Sequence, residues 1–264
     1  MGKPKNHKDC LDIAIDSADR DIAVHPNPSD YIVKLPYMIR SVKSIELMSL
    51  QMTRTEPAVN TGNNKFKITI DQQQTYNVAI PIGEYVQSTF ITALSTALKA
   101  INSNLDATVS SATMRLSITY STQFSIEVGE STARLLGVWG SNTSGRGSGT
   151  VSSLLKQPGL YSIEGTRAND LSGVPYLIMY LNDYNRIVSP TNQLNRAYML
   201  IPMETRKFMD RFIITNDEKE KKGKLKLTDG QRSIHQFRVQ FTRPDGSPYD
   251  FNGVDHHLLL KVSG

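Results

Sequence analysis

The sequence lacks the features that would tie it to a membrane or to an oxidising compartment. Its 264 residues include one cysteine, Cys10, so the chain cannot form an internal disulfide, and it has no cysteine cluster to hold zinc. No apolar run approaches the roughly 20 residues that a membrane-spanning helix needs. The basic first residues are not followed by the apolar stretch of a secretory signal. We therefore expect folding in a reducing compartment and no membrane span.

The sequence also lacks the short motifs of common catalytic and nucleotide-binding sites. It contains no Gly-x-Ser-x-Gly, no His-Glu-x-x-His, no Gly-x-x-x-x-Gly-Lys-Ser/Thr and no Gly-x-Gly-x-x-Gly. The acidic run that begins at Asp12 fails as a calcium loop, because counting from Asp16 places Asp21 where glycine is needed and Asn27 where glutamate is needed. The absence of these motifs favours a protein with no cofactor, no metal site and no enzymatic activity.

Three histidines remain as candidates for catalysis or metal binding. His256 and His257 follow Asp255, and an Asp–His pair can orient an imidazole for a nucleophile. Adjacent residues on a strand point to opposite faces, so the two histidines could not bind one ion from a regular strand. We expect structural roles for both, and for His235.

The positive charge is concentrated at the start of the chain. The formal net charge is +5, and Lys3, Lys5 and Lys8 precede the first predicted strand. The remainder is close to neutral and lacks the dense stripe of cations that a duplex-binding surface needs, so we expect no specific nucleic-acid partner. The basic residues are candidate partner contacts, with a merely solubilising tail as the alternative.

Apolar residues recur with a period of two along most of the chain. Leu11, Ile13 and Ile15 give the first example, and this alternation predicts strands with one buried face. Between Val86 and Ser103 the apolar spacing becomes three to four, which predicts one amphipathic helix. A short helical turn ending at Gly137 is also expected. The pattern favours a mostly β sandwich or barrel, with a tail over residues 1–10 and a single domain over residues 11–264.

One tryptophan stands next to a polar loop. Trp139 precedes residues 140–149, which are rich in glycine, serine, asparagine and threonine and are expected to form a surface loop. Tryptophan is enriched at the centres of protein interfaces, so Trp139 is a candidate partner contact. A position in or just below the core is the equally weighted alternative.

Three stretches, taken in order, resemble a family of viral proteins. They are Ile15-Asp16-Ser17-Ala18-Asp19-Arg20-Asp21 continuing to Pro26-Asn27-Pro28-Ser29-Asp30-Tyr31 and Leu35-Pro36; Ile80-Pro81-Ile82-Gly83-Glu84-Tyr85 with Leu135-Leu136-Gly137; and Arg243-Pro244-Asp245-Gly246 with Tyr249-Asp250-Phe251-Asn252-Gly253-Val254-Asp255-His256. The order and spacing resemble the single jelly-roll penton (vertex) proteins and related minor capsid proteins of large icosahedral double-stranded DNA viruses.

The resemblance implies a fold, an assembly and a set of partners. The implied fold is an eight-stranded jelly-roll β-sandwich with one inserted amphipathic helix. The implied assembly is a homopentamer at the capsid five-fold vertex, in contact with major capsid protein trimers, minor capsid proteins and a vertex spike or fibre. The resemblance carries no catalytic residues, and it places the protein in a virion assembled in the host cytoplasm. A receptor- or glycan-binding spike component on a β-sandwich is the alternative function.

Overall fold

The described part of the chain is built mainly of strands. The structure is a computed structural model that describes residues 10–139, 149–190, 194–203, 207–215, 224–227 and 232–264. These residues form 17 strands and two α-helices, so the prediction of a mostly β protein is confirmed. The strands are β1 (Cys10–Asp16), β2 (Asp30–Val42), β3 (Ser44–Thr53), β4 (Lys65–Ile70), β5 (Gln74–Ala79), β6 (Asp106–Val109), β7 (Leu116–Tyr120), β8 (Phe124–Val128), β9 (Gly149–Ser152), β10 (Leu154–Gln157), β11 (Leu160–Glu164), β12 (Tyr176–Leu181), β13 (Met199–Pro202), β14 (Arg211–Thr215), β15 (Lys224–Lys226), β16 (Arg232–Thr242) and β17 (His257–Ser263).

The chain divides into two compact units. The first comprises the described residues of Met1–Glu56 and Val174–Gly264, and the second is formed by those of Pro57–Gly173. The second unit is therefore inserted in the sequence between β3 and β12. No helix among the described residues of either unit is long and apolar enough to cross a membrane.

The first unit is a pair of antiparallel sheets that share one core. One sheet has the strand order β1-β17-β3-β14, with β15 also paired to β3, and the other has the order β13-β12-β16-β2. Side chains from both sheets meet in one buried apolar cluster, to which β1 contributes Ile13 and Ile15. Because β1 alternates, Asp12 and Ala14 point away from this core and are exposed. The predicted alternation of the first strand is thus observed.

The second unit has its own pair of four-stranded sheets and its own core. The strand orders are β5-β4-β8-β9 and β10-β11-β7-β6. A separate apolar cluster lies between strands of both sheets and includes Ile68, Ile118 and Ile126, all fully buried. The second unit is therefore also consistent with a β-sandwich.

Both helices belong to the second unit. The helix α1 spans Gln87–Lys99, inside the predicted range of 86–103, and buries Phe90, Leu94 and Leu98 along one face. The helix α2 spans Glu130–Leu136 and ends at Gly137, whose φ of 67° lies in the left-handed region. A side chain at Gly137 would also meet the Arg167 carbonyl oxygen, since a Cβ there would lie 2.4 Å from it. The helix thus ends at the predicted glycine, and the nearby Arg167 carbonyl oxygen leaves no room for a side chain at this position.

The strand count predicted for the whole chain is too low. Eight strands were expected, and the second unit alone contributes eight, β4 to β11. The alternation of these strands resembles that of the first unit, which is why the sequence does not mark the insertion. The expectation of a single domain over residues 11–264 stays a prediction, because two compact units can still unfold as one cooperative body.

Candidate functional site

The connection between β16 and β17 carries the third sequence motif and is fastened by a buried ion pair. Arg243 donates from Nε to Glu56 Oε2 at 2.8 Å and from Nη2 to Glu56 Oε1 at 2.5 Å. The exposed fraction of the side chain is 11% for Arg243 and 3% for Glu56. Arg243 also donates from Nη1 to Ser247 Oγ at 2.8 Å. The planar guanidinium therefore satisfies the carboxylate with two parallel bonds and holds the turn that follows it.

Further hydrogen bonds join this connection to the segment that contains Glu56. The Asp250 backbone N–H donates to Glu56 Oε1 at 2.6 Å, and the Thr55 hydroxyl donates to the Asp250 carbonyl oxygen at 2.6 Å. The Tyr249 hydroxyl accepts the Thr55 N–H at 3.0 Å. Burial raises the pKa of the Glu56 carboxyl, whereas the bond from Arg243 acts in the opposite direction. Because the Glu56 carboxylate is buried, its negative charge would be uncompensated without Arg243.

The first sequence motif meets the end of the same connection. Asp255 Oδ1 accepts from Ser17 Oγ at 2.7 Å and from Arg20 Nη1 at 2.8 Å. Partial burial opposes the charge of Asp255, but these two bonds hold the pKa of its carboxyl below the usual value. Arg20 also donates to the Ser17 carbonyl oxygen at 2.6 Å, which closes the network around a short 3-10 turn.

A buried tyrosine–histidine pair lies beside this network. Tyr31 and His256 are both 0% exposed, and Tyr31 Oη lies 2.9 Å from His256 Nε2. The His256 ring stacks on Phe251 at 4.5 Å and meets the edge of Phe241 at 4.8 Å. Burial lowers the pKa of His256 to about 3. Nδ1 of His256 has no hydrogen-bond partner within the described residues, so the ring is held neutral in an apolar cage.

The three candidate histidines do not form one site. His256 is buried, whereas His257 is half-buried and its Nδ1 lies 3.0 Å from Asp16 Oδ2 at the surface. His235 is exposed on β16. In the ranges that the structure describes, no group of three or more His, Cys, Asp or Glu side chains could hold a metal ion. The opposite orientation of His256 and His257 is the one expected from strand geometry.

The edge strand β2 carries the clearest candidate for a contact surface in the first unit. Its pairing with β16 shifts from Lys34↔Gln236 to Ile39↔Ile234, so residues 35–38 on β2 stand opposite one residue on β16. This bulge exposes Tyr37 and Met38 together, with exposed fractions of 59% and 52%. Bulges at sheet edges commonly re-aim side chains, and edge strands are where further chains can bind. We define these two side chains as the β2 knob.

The contact residues predicted from the sequence lie elsewhere. Lys3, Lys5 and Lys8 are outside the described residues, as are residues 140–148 of the predicted loop. Trp139 is half-buried, and the guanidinium of Arg167 lies 4.1 Å above the centre of its ring. This cation–π contact is formed within the second unit and leaves both interpretations of Trp139 open.

Sequence reasoning missed the partners of the motif residues. Glu56 and Arg243 are 187 positions apart, and Tyr31 and His256 are 225 positions apart. The sequence carries no signal for these pairs beyond the presence of both the first and the third motif in one chain. The structure brings these two motifs together in the first unit, where their residues hold turns and fill the core.

Comparison with solved structures gives several matches of low identity. The crystal structure of the mavirus penton protein matches with 9% identity and a TM-score of 0.48, covering 96% of this chain and 98% of that one. A chain from the cryo-EM structure of the Sputnik virophage matches with 12% identity and a TM-score of 0.35, covering 97% and 98%. The Escherichia coli flagellar cap protein FliD matches with 11% identity and a TM-score of 0.26, covering 89% and 56%.

Comparison at the level of sequence gives a family. No curated protein matches the sequence. One family model matches residues 3–143, or 141 of the 264 residues, which is more than half of the chain. The chain therefore belongs to the family of unknown function DUF5901.

Proposed function

We propose that this protein is a viral capsid subunit of the single jelly-roll type, and specifically a penton subunit. The observation that carries the proposal is the strand order of the first unit. Its two sheets enclose one core, and their orders are β1-β17-β3-β14 and β13-β12-β16-β2. The topology and the motifs of this chain together support the proposal.

The order becomes recognisable when the eight main strands of the first unit are lettered B to I along the chain. The first sheet then has the order B-I-D-G and the second C-H-E-F. This order matches that of a double-sheet jelly roll, in which successive strands alternate between the two sheets except at the E–F hairpin, formed here by β12 and β13. The jelly roll is common in viral capsids. In this lettering the second unit is an insertion between strands D and E, and β15 is an addition beside strand D. The topology therefore supports the jelly roll that the motifs imply.

A penton role requires one surface to bind a different surface of the next copy. Five copies close into a ring when such a heterologous interface repeats with five-fold rotation. An interface that holds a shell buries well over roughly 1,000 Å². The β2 knob offers an aromatic and a methionine side chain at a sheet edge, and both residue types are enriched in interface cores. We assign the β2 knob to the contact between neighbouring subunits.

The mass of the purified full chain in solution tests the assembly. A pentamer has five times the monomer mass of 29.4 kDa, or 147 kDa. Replacing Tyr37 and Met38 by serine is expected to shift the population toward monomer in analytical ultracentrifugation. Serine at Leu154 and Leu155, which are 70% and 58% exposed in the second unit, is the matched control and should leave the pentamer intact. A wild-type chain that stays monomeric at all concentrations, and is missing from vertices in particle maps, would refute the penton assignment.

The remaining partners follow from the same proposal. Five-fold vertices are surrounded by major capsid protein, so the outer contacts of the ring would include its trimers, minor capsid proteins and a spike or fibre. Lys3, Lys5, Lys8 and Trp139 are proposed contacts with such neighbours. Deleting residues 1–9 should reduce incorporation into virions, assembled in the host cytoplasm, while the melting temperature of the isolated protein is unchanged. Equal incorporation of the truncated and full chains would rule out a docking role for the tail.

A further inference from the structure

A polar groove crosses the outer face of one sheet of the first unit. It has a volume of about 950 Å³ and is lined mainly by residues of β12, β16 and the turn after β12, among them Tyr180, Asn182, Arg196, Gln236, Arg238 and Gln240. Sites for small ligands have volumes of roughly 300–1,000 Å³. The groove is therefore large enough for an extended small molecule, and most of its lining residues lie on strands.

The floor of the groove is held rigidly by Asn182. Its side chain accepts the Arg238 backbone N–H through Oδ1 at 2.6 Å and donates from Nδ2 to the Gln236 carbonyl oxygen at 3.3 Å. Its backbone N–H donates to the Arg238 carbonyl oxygen at 2.8 Å. Asn182 has a φ of 47°, in the left-handed region that most residues avoid. This conformation lets the turn continue the pairing of β16 beyond the end of β12 and keeps the floor pre-organised.

The charges in the groove are balanced. Arg238 binds Asp30 with two bonds, from Nε at 2.9 Å and from Nη2 at 2.8 Å. Arg196 and Asp183 both line the groove and contribute one charge of each sign. The formal charges of these two arginines and two aspartates therefore cancel. A neutral ligand suits such a groove better than a phosphate or a polyanion, which would need a surplus of cations.

Two side-chain amides project into the groove with no partner. Gln236 and Gln240 lie on the same face of β16, on either side of Arg238, and within the described residues neither side chain has a hydrogen bond. Successive residues on one face of a strand are about 6.6–6.8 Å apart, so the two amides lie roughly 13 Å apart along the strand. Each amide can donate and accept. Tyr180 pairs with Gln240 across the strands and adds an aromatic ring. The two amides thus supply donors and acceptors at positions roughly 13 Å apart, with the tyrosine ring beside Gln240.

We propose that this groove binds a neutral oligosaccharide. Vicinal hydroxyls donate and accept together, which matches side-chain amides, and a sugar ring can pack against a tyrosine. An extended peptide usually binds a sheet through an open edge. In the strand order both β12 and β16 are interior strands, and where β12 pairs with β16, from Leu181↔Val239 to Ile178↔Thr242, neither strand offers such an edge. The inference goes beyond the capsid role and does not depend on it, since it requires only the face of this sheet.

Ligand-observed saturation-transfer NMR on the full chain tests the proposal. The probes are three neutral tetrasaccharides, cellotetraose, maltotetraose and lacto-N-neotetraose, and we expect transfer to at least one. Replacing Gln236 and Gln240 by methionine keeps their length and removes their hydrogen bonds. Each lost bond is expected to weaken binding by a factor of roughly 2–10, so loss of one bond at each position should raise Kd by roughly 4–100-fold. The matched control is Gln51→Met, which makes the same change on the outer face of the other sheet.

The charge balance supplies a second arm of the test. Asp30→Asn removes the partner of Arg238 and leaves one surplus positive charge in the groove. We expect this variant to gain affinity for a sialylated tetrasaccharide relative to its neutral parent, and the wild-type chain to favour the neutral sugar. The proposal is overturned if the wild-type chain binds none of the three neutral probes. It is equally overturned if the double variant and Gln51→Met have the same Kd as the wild type, or if a peptide binds in the groove where the sugars do not.

Discussion

Acidification should destabilise the first unit through His256. The pKa of this imidazole falls from 6.5 to about 3 on burial, and His256 is fully buried. Because the folded pKa is depressed, the unfolded state takes up a proton first as the pH falls. The stabilisation is therefore complete above pH 6.5 and is lost progressively toward pH 3. Nδ1 of the buried ring has no hydrogen-bond partner among the described residues, and burial outweighs the attraction of the nearby Asp255 carboxylate for a second proton.

The size of the effect follows from the difference between the two pKa values. Each pKa unit corresponds to about 1.4 kcal/mol, so the full loss of unfolding free energy is about 5 kcal/mol. Carboxylates also become protonated toward the acid end of that range. The informative window is therefore from about pH 8 to about pH 5, where His256 alone accounts for a loss of about 2 kcal/mol. Such a loss is a large part of the stability of an ordinary domain.

Urea unfolding at a series of pH values measures this dependence, and two variants isolate its source. His256→Phe keeps an aromatic ring in the cage but cannot be protonated, so its stability should change by at least about 1.5 kcal/mol less than that of the wild type between pH 8 and pH 5. It should be less stable than the wild type at pH 8, because the Tyr31 hydroxyl loses its partner. His235→Gln, at an exposed position of β16, should leave the profile unchanged. Parallel profiles for the wild type and His256→Phe would refute the reasoning.

Two further predictions concern single contacts. Arg243→Met should lower the free energy of unfolding by about 3–5 kcal/mol, because it leaves the Glu56 carboxylate buried without its cation; the double variant with Glu56→Gln should recover part of that loss in urea unfolding, and a larger loss in the double variant would contradict an ion-pair role. Gly137→Ala should reduce the thermal unfolding temperature more than Gly159→Ala. Both glycines have a left-handed φ, but an added Cβ is 2.4 Å from the Arg167 oxygen at Gly137 and has open space at Gly159, so equal effects would show that the close approach is relieved by movement.

The local elements of this protein could be predicted from its sequence. The apolar spacing around Phe90 and Leu94 identified α1, and the glycine after the short turn identified the end of α2, because both signals depend on residues within a few positions of each other. The alternation at Ile13 and Ile15 identified the first strand and its buried face. Such signals give the class of each element and leave its partners in the sheet undetermined.

The partners of these elements could not be predicted, since they are set by contacts between distant positions. The insertion of the second unit follows β3 with no break in the β-like alternation, so its residues were indistinguishable from further strands of one sandwich. The Arg243–Glu56 pair joins positions 187 apart, and a single sequence carries no signal for that pairing. Gln236 and Gln240 lie on the same face of a strand, and this spacing predicts a polar face. It does not indicate which ligand would bind there.

The motif residues and the proposed contact residues of this protein are different sets. Arg243, Asp255 and His256 belong to the motifs, and each is fastened to a distant part of the first unit. Substitution there should act on folding, and only through folding on assembly. The β2 knob is exposed and makes little contribution to the core, so its substitution should act on assembly with the fold intact. The motif residues therefore act on how the first unit folds, whereas in the proposed capsid role the exposed side chains of the β2 knob would contact the neighbouring subunits.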